Sequence, residues 1–388
     1  MLENKDSHKK ALEAIFGRER VYSDALDCFG YSYDAAPEAL NTDFTPDFVC
    51  KAHTTAEVSA LLKYANDNAI PVTTRGNGSG RSGGSIPVRG GIVLSLDEMD
   101  KIIELDEKNM MLRVQPGVLT KAVHDFCAAR DLYYPPEPSS YVYSTIGGNI
   151  AENAGGIRAV KYGVTSDYVM GLEVVLPGGD IIHTGGKLIK NVTGYNLTQL
   201  FVGSEGTLGV ITEAILKVIA KPKHLASAMA SFKSIEDACE AVNACLLSGV
   251  TPTAAELMDK LSCEAAARFN EFPLKDDVGA MIVFDLGGAT EAICQSDMAT
   301  LEDVCKRVGA IEFTLSKTEE ERNDLWKLRR NLSTAVKVLA PDRVGEDITV
   351  PRAMLPTICK RIGEICASYG FMVSIFGHAG DGNLHPSL

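Results

Sequence analysis

The chain has 388 residues, 45% hydrophobic and 23% charged, with a formal net charge of −13 at pH 7. That length accommodates two or three domains of ordinary globular composition. The acidic balance argues against nucleic acid or an anionic membrane as partner, although local arginines can still shape a pocket for an anionic substrate. The N-terminus MLENKDSHKK has no apolar core of a signal peptide, and no apolar run reaches the ~18 residues of a membrane-spanning helix. Ten cysteines are scattered without a CxxC pair. This predicts buried thiols in a reducing cytoplasm, with no disulfide frame and no iron–sulfur cluster in this chain.

In chain order, residues 8–17 read as a short helix and 18–46 as irregular. A strand is predicted at 47–51, then a helix from Thr54 or Thr55 to Asn68 with Val58, Leu61, Leu62 and Ala65 on one face. The stretch PVTTRGNGSGRSGGSIP follows, Pro71 to Pro87. A short β-rich run ends at Arg75, and Gly76 to Gly84 are mostly Gly and Ser around Asn77 and Arg81. Such a loop has few side chains in the way, and its backbone N–H groups can converge on one anion, most often a phosphate. Arg75 and Arg81 could help neutralise a diphosphate. An isolated run of this kind could equally be a surface loop, so the rest of the chain has to decide.

Three β-rich runs (91–96, 102–105, 112–115) and a helix over 118–130 lead to YYPPEPSS, whose prolines exclude regular helix. A second glycine cluster, TIGGNIAENAGG, spans Thr145 to Gly156, with Asn149 and Asn153 one helical turn apart. A hairpin is predicted over 171–184. A third cluster, FVGSEGTLGVI, covers Phe201 to Ile211. Three glycine clusters flanked by strands within one span predict loops converging on one long ligand. No GxGxxG opens a helix after a strand with an acidic residue ~20 positions on, so a nicotinamide-type site is the weaker reading. The composition shifts near Lys221–Lys223. Beyond it, strands near 225–232, 253–258, 279–286, 309–313, 346–350 and 371–376 alternate with helices near 235–247, 260–268, 290–307, 318–338 and 352–368. That predicts an antiparallel sheet covered by helices on one face.

Two further motifs carry chemistry. LWKLRR, Leu325 to Arg330, presents paired arginines on a helix, which without other context is an exposed basic face. IFGHAGDGNLH, Ile375 to His385, flanks a tight turn with His378 and His385, and two such imidazoles can converge on one divalent metal.

Taken together, RGNGSGRSGG, PPEPSS, TIGGNIAENAGG, KYGVTSDYV, KNVTGYNLTQLFVGSEGTLG and FGHAGDGNLH resemble the flavoproteins of the vanillyl-alcohol-oxidase/p-cresol-methylhydroxylase superfamily. Within it, the chain looks like the D-lactate dehydrogenase and glycolate oxidase FAD-subunit group. The resemblance runs from about residue 40 to the last residue. It implies an α+β fold in two parts: a two-lobed FAD-binding domain over 1–222 (core about 42–221) and an α+β substrate domain over 223–388. It also implies that Arg75, Gly76, Asn77, Gly78, Ser79, Gly80, Arg81 and Ser82 line the diphosphate of FAD. Pro136, Gly147, Gly148, Asn149, Asn153 and Gly156 would meet the flavin and ribityl portions, and Gly163, Glu205, Gly206 and Ile211 the rest. The first loop contains no His or Cys, so the FAD is expected to be non-covalent.

The implied reaction is oxidation of a small D-2-hydroxy acid, D-lactate or glycolate, by hydride transfer to flavin N5. Arg329 would hold the substrate carboxylate, with Arg330 a close second. His378 and His385 would bind a divalent metal such as Zn, Mn or Fe, with a glutamate further downstream, and a histidine would take the proton. Some relatives acting on dicarboxylic substrates carry a lysine where Gly345 stands, which favours a short monocarboxylate. The resemblance also implies elements past Leu388, including that glutamate, so the second domain is expected to be incomplete. Electrons would pass to an iron–sulfur subunit, an electron-transfer flavoprotein or a quinone, in the cytoplasm or at the inner face of the membrane through a partner. Alternatives are a flavin-dependent transferase of the alkyl-dihydroxyacetone-phosphate synthase type and a FAD-binding subunit without turnover.

Overall fold

The computed structural model describes residues 2–36, 44–340 and 343–388. Part of the stretch read as irregular, 37–43, lies outside the described residues. The chain forms two compact units: one from 1–155 and 164–221, the other from 156–163 and 222–388. The division therefore differs from a single cut near 222. The segment 156–163 belongs with the second unit, where Lys161 Nζ donates to the Gly287 carbonyl at 3.0 Å. Val160 there fills the space over Gly380, at which a Cβ would come within 2.6 Å of it.

The first unit contains two main sheets. In one, Phe48–Lys51, Ile92–Ser95 and Val72–Arg75 run parallel, with Val21–Tyr22 antiparallel at the edge. The helix Thr55–Asp67 packs Val58, Leu61, Leu62 and Ala65 onto this sheet. It starts at a capping box in which Thr54 accepts from the Glu57 N–H and Glu57 answers to the Thr54 N–H. The second sheet is antiparallel, in the order Ile102–Asp106, Met111–Val114, Val210–Lys217, Val169–Val175, Ile181–Gly185.

The second unit is a seven-stranded antiparallel sheet, ordered Glu312–Leu315, His224–Phe232, Ala280–Gly288, Ala254–Asp259, Ser374–His378, Asn383–Ser387, Ile348–Thr349. Helices cover both faces, not one. Ile235–Leu247, Glu291–Val308 and Leu355–Ser368 pack with Ala230, Leu257 and Ile282 on one side. Lys260–Asn270, Glu319–Arg330 and Leu332–Ala335 pack with Met229, Met258 and Met281 on the other. The reason is visible in AMIVFDL, where residues of both parities are buried, as a doubly covered strand requires. The helix expected over 318–338 breaks at Asn331, whose side chain turns aside to donate to Asn270 Oδ1 at 2.7 Å. All ten cysteines are free and buried. Among the described residues, no helix is long and apolar enough to cross a membrane.

Candidate active site

In the first unit the three glycine clusters meet. The strand Val72–Arg75 delivers the chain into the loop 76–84, and Ser82 Oγ donates to the Glu152 carboxylate at 3.0 Å. A Cβ on Gly84 would lie 3.1 Å from Glu152 Oε1 and 3.4 Å from Glu205 Oε2. The Gly203 and Glu205 N–H groups donate to the carbonyls of Ile150 and Ala151. Burial pushes the Glu152 carboxyl above its usual range, against the Ser82 bond, and the neighbouring Glu205 and Asp34 add to the rise.

The loop stands on its glycines. A Cβ on Gly76 would collide with Thr145 Oγ1. Gly78 adopts φ +62°, where L side chains are strained, and a Cβ there would meet the Arg75 guanidinium. Among the described residues, the backbone N–H groups of Gly76, Asn77, Gly78, Ser79, Gly80, Arg81 and Ser82 have no protein acceptor.

Arg75 does not reach the open side of this loop. It is buried, donates from Nη1 to the Tyr33 carbonyl at 2.7 Å, and lies 5.6 Å from the Tyr31 ring centroid. It braces the loop from beneath, whereas Arg81 is exposed. Asn77 donates to the Tyr143 carbonyl at 2.9 Å. The two amides of the second cluster are also engaged in the fold. Asn149 donates to Thr120 Oγ1 at 2.7 Å, and Asn153 Oδ1 accepts from the Ser166 N–H at 2.9 Å. Gly148 N–H is capped by Thr145, and a Cβ on Gly147 would come 2.6 Å from Pro116 Cβ. The Pro136 carbonyl pairs with His124 Nε2 at 2.9 Å. Glu205 and Gly206 form a positive-φ turn, and Ile211 is buried in the strand Val210–Lys217. Gly156 and Gly163 bound the segment that joins the second unit.

In the second unit, the centre of the site is a residue that motif reading did not single out. Glu256, on the strand Ala254–Asp259, is fully buried. Its Oε1 lies 2.7 Å from His378 Nδ1, a bond consistent with the cross-strand register that sets these two residues opposite each other. Its Oε2 lies 2.7 Å from Arg329 Nε, an ion pair in which the N–H is not aimed along the contact. Burial drives the Glu256 carboxyl up, but the charges of His378 and Arg329 outweigh it and hold it below its ordinary range. Burial likewise disfavours the His378 imidazolium, yet Glu256 prevails and raises its pKa.

The His385 ring lies 5.0 Å from that of His378, nearly perpendicular, and its Nδ1 is 3.3 Å from Asp347. Arg330 points elsewhere: it is exposed, 5.7 Å from the Trp326 ring centroid. Arg329 is the inward member of the pair, its side chain 12% exposed, over the ring of Phe376. Among the described residues, no group of three or more His, Cys, Asp or Glu side chains is arranged to hold a metal ion. Two imidazoles alone are a poor donor set for a catalytic divalent metal.

The fold matches that of p-cresol methylhydroxylase bound to substrate, with a TM-score of 0.78 at 17% identity over 100% of this chain and 83% of that one. The comparisons by sequence are more specific. A family model described as FAD binding domain matches residues 46–185, and one described as FAD linked oxidases, C-terminal domain, matches 221–388. The glycolate oxidase subunit GlcD of Bacillus subtilis is 41% identical over 379 residues, 98% of this chain and 80% of its own length. The D-lactate dehydrogenase of Anaerostipes hadrus is 35% identical over 365 residues, 90% of this chain and 77% of its own. The chain belongs to the FAD-linked oxidase family. Its first unit fits that cofactor, since the loop 76–82 offers a run of unpaired N–H groups, with Gly76 and Gly78 at positions that have no room for a side chain.

Proposed function

We propose that the chain oxidises a small D-2-hydroxy acid, D-lactate or glycolate, to the 2-oxo acid, with non-covalently bound FAD. The observation that carries this reading is Glu256 held between Arg329 and His378. Arg329 spends only its Nε on Glu256, which leaves the outer guanidinium nitrogens for a substrate carboxylate in the paired geometry arginine favours. His378 donates Nδ1–H to Glu256, so its Nε2 accepts the proton of the substrate hydroxyl. The imidazolium that forms is stabilised by the carboxylate already against it. When bound, FAD would supply the acceptor for the hydride from C2; with the hydroxyl proton on His378, the two electrons and two protons lost by the acid are accounted for.

Gly345 itself brings no cation to a second carboxylate, but the Arg343 guanidinium lies 3.3 Å from where a Cβ on Gly345 would stand, so the choice between a monocarboxylate and a dicarboxylate rests on the substrate panel below. Oxidation of D-lactate or glycolate also agrees with the names of the two relatives, a glycolate oxidase subunit and a D-lactate dehydrogenase. A divalent metal at His378 and His385 would need further donors beyond these two imidazoles. Electrons would leave to an iron–sulfur subunit, an electron-transfer flavoprotein or a quinone, and the ten free thiols support a reducing, cytoplasmic compartment. The test is anaerobic bleaching of the flavin with a panel of acids. D-lactate or glycolate should bleach it faster than D-2-hydroxyglutarate or L-lactate, with steady turnover once a dye acceptor is added. Preference for L-lactate overturns the reading.

A further inference from the structure

One buried carboxylate in the second unit takes no part in this chemistry. Asp285, on the strand Ala280–Gly288, is 5% exposed. Its Oδ1 accepts from Trp326 Nε1 at 2.8 Å and also from Ser227 Oγ. Burial raises its pKa, opposed by those two bonds and by the charges of Arg158 and Arg322. An ionisable group in a core is costly, and an apolar residue of similar size would hold the sheet at least as well.

The geometry gives it a role. Asp285 stands opposite Ala254 in the ladder, while Glu256 stands opposite Val283. The two carboxylates are therefore diagonal neighbours on adjacent strands, facing the same side of the sheet. The helix Glu319–Arg330 lies over that side, and Trp326 and Arg329 are three residues apart on it, one above the other on a single face. Each reaches one of the two carboxylates. Leu325 and Leu328 bury the same helix, but apolar contacts are non-directional and tolerate some roll about its axis. The bond from the indole does not, because an N–H donor weakens steeply as it turns from its acceptor.

We infer that Asp285 is a positioning residue: through Trp326 it fixes the roll of the helix Glu319–Arg330 and so holds Arg329 where it meets the substrate carboxylate. This rests on the reading that Arg329 binds that carboxylate, and the test separates the two. Steady-state kinetics with D-lactate and a dye acceptor are measured on the FAD-loaded full chain and on Asp285→Leu, Asp285→Asn, Trp326→Phe and Arg329→Met. Asp285→Leu and Trp326→Phe should each raise KM about tenfold, equivalent to ~1.4 kcal/mol, with a much smaller change in kcat. Asp285→Asn keeps the Oδ1 acceptor and should restore most of the affinity lost in Asp285→Leu.

Trp326 is the only tryptophan in the chain, so its indole N–H gives a single resonance in a nitrogen-edited proton spectrum. That resonance should move upfield and exchange faster with solvent in Asp285→Leu, and keep its position in Asp285→Asn. Should Asp285→Leu fail to fold, Trp326→Phe, which keeps most of the buried volume, decides the matter. An unchanged KM in folded Asp285→Leu or Trp326→Phe, alongside a steep rise in Arg329→Met, overturns the positioning role. Asp285→Asn as damaging as Asp285→Leu overturns it as well. An unchanged KM in Arg329→Met instead removes the carboxylate reading beneath it.

Discussion

Replacing Glu256 by Gln keeps the shape of the side chain and removes its charge. The carboxylate is fully buried and contacts the Arg329 guanidinium and the His378 imidazole, at 2.7 Å each, whose side chains are only 12% and 16% exposed. Solvent therefore screens little of the interaction. Removing one partner of a buried ion pair costs about 3–5 kcal/mol, because the other charge is left without compensation. Gln also presents an NH2 group where one of two donors, Arg329 Nε or His378 Nδ1, needs an acceptor. Taking ~3 kcal/mol as the lower figure, at about 2–4 °C per kcal/mol for a domain of this size, the second unit should melt roughly 6–12 °C lower. Calorimetry with saturating FAD would measure this. Activity should fall more than stability implies, since His378 loses the group that orients it, and general-base catalysis is worth ~10²–10⁴-fold. A Tm within 2 °C of wild type would refute the claim that Glu256 carries the charge balance of this site.

Three other outcomes are expected. Acid precipitation should release the yellow colour into the supernatant, as the loop 76–84 offers no His or Cys for a covalent link to the flavin; colour retained in the pellet would count against it. Gly76→Ala should weaken FAD binding at least tenfold, roughly 1.4 kcal/mol, because the new methyl collides with Thr145 Oγ1, and flavin-fluorescence titration reads this directly. Asp259, whose side chain caps the helix Lys260–Asn270, has its pKa raised by burial to about 6. A raised carboxyl pKa means the folded state binds the proton more tightly, so this contribution to stability is full below about pH 4 and lost as pH rises through 6. Asn caps equally well, so Asp259→Asn should gain up to ~3 kcal/mol above pH 7 and nothing near pH 4. An equal gain in Tm at both pH values would contradict that account.

The cofactor half of the molecule was legible because its signal is local. Glycines that admit no Cβ announce a close approach of backbone, and three such clusters in order identify the loops that meet. What the sequence concealed was the direction of side chains. Arg75 reads as a phosphate ligand until Tyr31 and Tyr33, in a stretch without periodicity, prove to supply its ring and its acceptor. Glu256 sits in AAELMD, where an acidic residue inside a strand resembles a solvent-facing position. Its partner His378 is 122 residues away, so no spacing rule connects them. Helices on the second face of the sheet turned that outward position inward.

The same face explains why carboxylates are there at all. Around them the sheet presents Met229, Met258 and Met281, side chains that adapt to many packings and specify none. A helix laid on such a surface has several rolls of similar energy. Asp285 and Glu256 break the apolar pattern at two points, and each is costly unless met by its own donor. Only one roll of the helix Glu319–Arg330 brings Trp326 to the first and Arg329 to the second at once. The departures from binary patterning thus lie where orientation matters more than burial, and the residue oriented by them is Arg329, the arginine proposed to hold the substrate carboxylate.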